Sequence, residues 1–274
     1  MPGEDPDSAL DAAAGFRDVG IGTVFTALGE RLDTVEAATA VRDHYLGLLD
    51  SIAVRDLPSQ ISVKLTHLGL DVDPAACRAH VLQLAARAGR TGSFVWIDIE
   101  ESQYVDATLD LFRRVRAETD RVGLCLQAYL RRTPADLESL LPLEPAIRLV
   151  KGAYREPPEI AFPKKSDTDD AFFQLGRRLL ESAGGQTLPV FGTHDIQLIE
   201  RLRTVARELG AAAAYEIHML YGIRPAEQRA LASSGTRVRV LISYGSHWFP
   251  WYMRRLAERP ANLWFVVKNI FVAR

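Results

Sequence analysis

Short apolar runs alternate with longer amphipathic stretches along most of this chain. Eight runs recur at even spacing: 21–28, 61–65, 94–99, 123–129, 147–150, 188–192, 214–220 and 238–243. Most are near-continuous rather than alternating, the pattern of parallel strands covered on both faces. The stretches between them read as helices. Thr34 stands before Val-Glu-Ala-Ala as an N-cap, and Asp73-Pro74 and Thr133-Pro134 each place a cap before a proline at the first helical position. Eight strand–helix units in roughly 250 residues predict an α/β fold of the (βα)8 barrel type. An open doubly wound sheet is the alternative, but no Gly-rich dinucleotide fingerprint follows any strand.

Composition narrows the picture. The chain has 274 residues, 47% of them hydrophobic and 25% charged, which suits one large domain with a sizeable core. Residues 11–274 are expected to form that single domain, with 1–10 as a loose N-terminal tail. A net charge of −2 gives no basic face to attract nucleic acid. Two cysteines, Cys77 and Cys125, are too few for a disulfide framework, so a reducing compartment is the default. No run of 18 apolar residues suggests a membrane span, and the acidic start lacks the basic and apolar regions of a signal peptide. The least regular stretch, 155–170, carries Glu-Pro-Pro and Phe-Pro-Lys-Lys. It reads either as a plain long loop or as a lid after strand five.

In a barrel the chemistry sits at the C-terminal ends of the strands. There the sequence places Lys64, Asp98, Glu100, Gln127, Arg148, Lys151, Thr193, His194, Asp195, Glu216 and His218. Charges on so many apolar runs each carry a desolvation cost, which points to a polar site rather than to scattered structural pairs. The twin arginines Arg254 and Arg255 follow the last run, among Trp248, Phe249, Trp251 and Tyr252. Two adjacent guanidinium groups are tolerable in a pocket when an anion neutralises them, and their planar forks suit a carboxylate. Glu258, four residues after Arg254, can pair with it along a helix. If Glu100 and Glu216 turn away, Lys64, Arg148, Lys151, Arg254 and Arg255 outnumber Asp98 and Glu258, and the site wants anions. A binuclear metal barrel would show His-x-His at the end of strand one; this chain has Thr-Ala-Leu-Gly-Glu there, so no metal is expected. Lys64 or Lys151 could serve as a Schiff-base lysine, or simply balance charge.

The strings Ser-Val-Lys-Leu-Thr, Ile-Asp-Ile-Glu, Gln-Ala-Tyr, Arg-Leu-Val-Lys-Gly-Ala-Tyr, Thr-His-Asp and Tyr-Met-Arg-Arg-Leu-Ala-Glu, in this order, resemble the proline dehydrogenase family, in its monofunctional bacterial type. The resemblance runs from about residue 20 to the end. It implies a distorted (βα)8 TIM barrel with the final helix over the barrel mouth, binding FAD without a Rossmann domain. It implies oxidation of L-proline to 1-pyrroline-5-carboxylate by hydride transfer to FAD, with electrons passed to a quinone. The expected setting is cytoplasmic, with a peripheral contact on the inner membrane face. By the same resemblance Arg254 and Arg255 grip the proline carboxylate. Lys64 lies at the substrate end, with Asp98 as the aspartate that pairs with it. Arg148 sits near the flavin N5, and Gln127 bonds the isoalloxazine edge. Lys151, Gly152 and Ala153 form a backbone turn along the cofactor. Thr193 and His194 contact FAD, Ile99 packs beside the flavin, and Glu258 is the glutamate of the last helix. Tyr154 and Leu220 line the proline ring, and Glu30 closes over the site by pairing with Arg254.

Two departures from the family pattern stand out. Leu241 occupies the strand-eight position of a tyrosine that packs beside the substrate arginines, which bears on proline affinity and on which cyclic imino acids enter. The helices that precede strand one in the family are expected to be missing here. The sequence sets no oligomeric state. Two other readings remain open: a Schiff-base aldolase barrel, and a catalytically idle barrel that binds an amino acid.

Overall fold

The computed structural model describes residues 1–29, 31–211 and 214–246. Eight parallel strands close into a barrel in sequence order. They are β1 Gly22–Ala27, β2 Ser59–Lys64, β3 Val95–Asp98, β4 Val122–Gln127, β5 Ala146–Val150, β6 Leu188–Gly192, β7 Glu216–Leu220 and β8 Arg237–Tyr244. The helices among the described residues are α1 Pro6–Arg17, α2 Val35–Val54, α3 Pro74–Arg90, α4 Val105–Arg116, α5 Thr133–Leu140, α6 Lys165–Glu181, α7 Ile196–Glu208 and α8 Pro225–Ser233. The barrel thus replaces the open-sheet alternative, since β1 pairs with both β2 and β8.

Local chemistry sets the helix starts. The Thr34 side chain accepts from Ala37 N at the head of α2, and Asp73 accepts from Ala75 N and Ala76 N at the head of α3. Each satisfies an N–H that the first turn leaves without an intrahelical partner. Thr133 behaves differently from the expected cap. It lies inside α5, after Arg132 as N-cap, and its hydroxyl donates to the Gln127 carbonyl.

The tail expectation needs correction. Asp5 caps α1 by accepting from Ser8 N at 2.7 Å, with Pro6 in the first turn, so helix replaces loose chain from residue 6 onward. Ala9, Leu10 and Ala13 are buried, and α1 packs against β1 and β8. One helix therefore does precede the first strand, covering the seam where the barrel closes. Leu10→Ala is expected to destabilise the protein by about 2–5 kcal/mol, the usual cost of emptying a leucine site in a core. Urea denaturation checks this, and an unchanged midpoint would restore the loose tail.

Side chains alternate between the two sides of the barrel wall. The outward set, including Phe25, Ile61, Val63, Ile97, Leu124, Ile147, Phe191 and Ile217, belongs to the main core under the helices. The inward set holds a small apolar cluster of Val24, Trp96, Ala146 and Val190. Glycines make room inside. A β-carbon on Gly123 would overlap the Trp96 ring, and one on Gly22 would overlap the Arg239 guanidinium. Large polar side chains therefore reach across the barrel axis and form the floor of the site.

Candidate active site

A cavity of about 260 Å3 opens at the C-terminal ends of the strands. Its wall brings together Lys64 and Asp98 from the ends of β2 and β3, with Ile99 beside them. Gln127 ends β4, Arg148 stands in β5, and Lys151, Gly152, Ala153 and Tyr154 follow β5. Thr193 and His194 follow β6, Leu220 ends β7, and Leu241 lies in β8. The strand order thus converges residues up to 217 positions apart, from Thr26 to Ser243, onto one hollow. Glu30, Arg254, Arg255 and Glu258 lie outside the described residues.

Arg148 is the most constrained of these groups. Its side chain is 3% exposed, and its Nη2 donates to Ser62 Oγ at 2.6 Å and to the Asp98 carboxylate. Its guanidinium carbon lies 5.0 Å from the centroid of the Trp96 ring. An ion pair, a hydroxyl and an aromatic face fix the planar fork in one orientation. Asp98, expected as the partner of Lys64, holds Arg148; Lys64 is its register neighbour across the β2–β3 ladder.

The walls are built by backbone-directed bonds. Gln127 Nε2 donates to the Glu100 carbonyl at 2.9 Å, and its Oε1 accepts from Ala153 N at 3.3 Å. One amide therefore ties the loops after β3 and β5. Gly152 stands at φ +133°, and a β-carbon there would overlap the Tyr129 ring, so the turn requires glycine. The 155–164 segment is anchored on both sides. The Glu156 carboxylate accepts from Ser102 N and Ser102 Oγ at 2.7 and 2.8 Å, and Phe162 N donates to the Tyr129 carbonyl. Its bonds favour a fixed wall over a swinging lid. His194 Nε2 accepts from Leu220 N at 2.8 Å, which joins the β6 and β7 loops.

The charge balance differs in one respect from the sequence expectation. Lys151 is held by Asp169 and by Asp195, the latter at 2.8 Å, and Asp195 also caps α7. Its charge is already matched, so it acts as a clamp between β5, α6 and α7 rather than as an anion holder. Two carboxylates around one ammonium also disfavour the Schiff-base reading for Lys151. Glu100 turns away from the cavity to Thr66, accepting from its N and Oγ1. Burial raises the Glu100 pKa, against those two bonds.

Glu216 opens β7 rather than ending it, so it belongs to the lower barrel interior. Its Oε2 accepts from Arg239 Nε at 2.8 Å and faces His218 Nε2 at 3.2 Å. Burial, aided by Arg148 and Arg239, pushes His218 down to about 4 despite the neighbouring carboxylate. Burial works against ionisation of Glu216, but His218 and Arg239 outweigh it and lower its pKa. Both folded values lie below the unfolded ones, so the unfolded chain takes up protons first and acid destabilises the fold. The His218 contribution is complete above its ordinary value of 6.5 and disappears as pH falls toward about 4. We expect the melting temperature of the wild type to fall between those limits more steeply than that of His218→Gln. Parallel profiles would contradict the assignment.

Ser62 and Trp96 escaped the sequence reading. The signal was present: each lies two residues before an inward charge, Lys64 or Asp98, and a strand repeats its face every second residue. Cys125 also lines the cavity, beside Arg148 in the β4–β5 register. Among the described residues there is no cluster of three or more His, Cys, Asp or Glu side chains set to hold a metal.

Comparison with known proteins places this geometry in context. The sequence model of the family described as Proline dehydrogenase matches residues 9–268. "Proline dehydrogenase 1" of Bacillus subtilis subsp. natto is 36% identical over 271 residues, 98% of this chain and 89% of that protein. "Proline dehydrogenase" of Deinococcus radiodurans is 35% identical over 276 residues, 98% of this chain and 88% of that protein. Among solved structures, proline utilization A from Bdellovibrio bacteriovorus, inactivated by N-propargylglycine, superposes with a TM-score of 0.84 at 24% identity. That match covers 93% of this chain but 32% of the other, so it speaks to the barrel fold alone.

Proposed function

The chain belongs to the proline dehydrogenase family, and from that premise we propose that it oxidises L-proline to 1-pyrroline-5-carboxylate with FAD as acceptor and a quinone beyond it. The observation that carries this reading is the Arg148 guanidinium, fixed in the cavity floor by Asp98, Ser62 and Trp96. Its Nη1 is buried and makes no hydrogen bond within the protein. A rigid cation with unspent N–H groups beside a cavity suits a flat ring that gains negative charge on reduction. The glycine turn at 152, packed on the Tyr129 ring, presents backbone to the same cavity. These features fit a flavin.

FAD, when bound, supplies the two-electron acceptor for the hydride that leaves C5 of proline. Arg148, Gln127, Ile99, the 151–153 turn, Thr193 and His194 would hold it. Glu258 would join them. The side chains named for the substrate have separate tasks. Arg254 and Arg255 hold the carboxylate, Lys64 adds positive charge at that end, and Glu30 closes over by pairing with Arg254. Tyr154 and Leu220 flank the ring. The cationic surroundings disfavour the ammonium form of proline, so the amine binds neutral and its lone pair forms the C=N bond as hydride departs. The remaining N–H proton then leaves to solvent, giving the imine. Asp98 keeps Arg148 in register throughout.

Leu241 lines the same cavity beside Leu220, its β8–β7 partner. An aliphatic wall there replaces the family's aromatic one and bears on substrate range. No described helix is long and apolar enough to cross a membrane, so we place the quinone at a peripheral contact. The reading is tested by L-proline-dependent reduction of a soluble quinone analogue, with mass spectrometry of the product. It requires a product two hydrogens lighter than proline. Loss of carbon fragments would favour the aldolase alternative, and no turnover would favour the idle barrel.

A further inference from the structure

Two buried polar atoms in the barrel interior make no hydrogen bond within the protein, and they are complementary. One is Arg148 Nη1 and the other is His218 Nδ1. Both residues are 3% exposed and line the same cavity. Glu216 can only accept, because its carboxylate is ionised beside Arg239, so His218 Nε2 must carry the proton. The neutral ring then leaves Nδ1 as a bare acceptor. Arg148 Nη1 can only donate, and it has two N–H groups, enough for one ligand in the cavity and one partner in the floor.

The space between them is framed. β6 lies between β5 and β7, and its inward residue at this level is Gly192. Gly192 is the register partner of His218, and a β-carbon there would stand 3.7 Å from Arg148 Cγ and 2.8 Å from Val150 Cγ1. Trp96 closes the opposite side, with the Arg148 guanidinium over its ring and the His218 ring meeting it at 5.5 Å, nearly perpendicular. A donor from β5 and an acceptor from β7, with no β6 side chain set between them, suit one small polar molecule as a shared partner. One water placed to reach both atoms would satisfy them together, and leaving either unpaired would cost about 1–3 kcal/mol.

We propose that His218 is a positioning residue for Arg148, acting through one buried water that accepts from Arg148 Nη1 and donates to His218 Nδ1. The inference rests on the proposed flavin and proline roles of the cavity. It adds a support from below the site that extends through Glu216 to Arg239 and on to the Pro58 carbonyl, at 2.9 Å, near the opposite end of the barrel. The charged groups facing His218 are Glu216 on its own strand, Arg239 on β8 and Arg148 on β5. The Arg148 fork is held on one side by Asp98 and Ser62 and on the other by this water.

Two variants and two structural readouts test it. His218→Leu removes the acceptor, whereas His218→Gln keeps an amide donor for Glu216 and a carbonyl acceptor for the water. In the FAD-loaded enzyme, His218→Leu should slow flavin reduction at saturating L-proline about tenfold, with the proline KM changed less than about twofold, and should make the flavin midpoint potential more negative; about 1.4 kcal/mol corresponds to that tenfold. His218→Gln should restore most of the rate. A Leu variant as fast as wild type, or a Gln variant as slow as the Leu variant, would overturn the proposal. Independently of turnover, 15N NMR of histidine-labelled wild type should show Nε2 protonated and Nδ1 as a hydrogen-bonded acceptor. A high-resolution crystal structure should place a water within bonding distance of both atoms. A proton on Nδ1, or a dry gap, would overturn it even if the protein folds poorly with leucine. Absence of proline oxidation altogether would instead count against the functional reading, and the two structural readouts would still decide the water.

Discussion

Arg148→Ala is expected to lower the rate of flavin reduction by L-proline about a hundredfold or more, the range seen when one preorganised electrostatic stabiliser is removed. The size follows from how the group is held. The guanidinium is buried, ion-paired to Asp98, bonded to Ser62 and stacked on Trp96, so no water reorganises to meet charge that develops beside it. Its removal also leaves Asp98, whose side chain is 23% exposed, without its arginine. That loss costs some stability, so rates should be normalised to bound flavin. Arg148→Lys separates the effects. It keeps the charge but cannot reach Asp98, Ser62 and the Trp96 face together as a planar fork does. Stopped-flow reduction should therefore rank wild type above lysine and lysine above alanine, with smaller changes in proline affinity. An unchanged rate in the alanine variant would remove Arg148 from the chemistry.

The second large effect concerns the twin arginines. Arg254→Met should raise the proline KM about 10- to 150-fold, because a charge-assisted bond to a carboxylate is worth about 1.5–3 kcal/mol. Bound flavin should remain, as judged by the visible spectrum. Because the carboxylate does not take part in bond breaking, the loss should fall on KM more than on kcat. Normal proline kinetics in this variant would mean that the carboxylate is held elsewhere, with Lys64 the first residue to examine.

Much of the barrel is legible in the chain because its strands are nearly uninterrupted apolar runs. The expected 188–192 and observed β6 Leu188–Gly192 coincide, and the other strands differ only at their ends. The convergence of Lys64, Asp98, Gln127, Arg148 and the residues after β5 and β6 on one cavity follows from the same rule, since strand ends share a face of the barrel. What the sequence hides is of two kinds. The start of α1 escapes because an acidic segment without an apolar run reads as a tail, although a proline after Asp5 is also a good helix start. Side-chain partnerships escape because they are non-local. Nothing in the sequence near Asp98 shows that it meets Arg148, 50 residues later, and nothing near Lys151 shows that Asp169 and Asp195 neutralise it. Glu216 reads as a strand-end residue yet opens β7, because an apolar run does not announce where pairing begins.

The polar interior explains why a barrel with eight apolar strands needs interior glycines at positions 22, 123 and 192. They leave volume for Arg239, Trp96 and Val150 respectively. Trp96 supports Arg148 from below, and both Arg148 and His218 reach the cavity.

An anaerobic titration of the purified protein with L-proline, followed by visible absorption, bears most directly on the whole account. A cavity that seats FAD against Arg148 predicts yellow protein whose flavin band bleaches in proportion to added proline and returns with a quinone analogue. Colourless protein that takes up no FAD, or a yellow band that proline leaves unchanged, would contradict it.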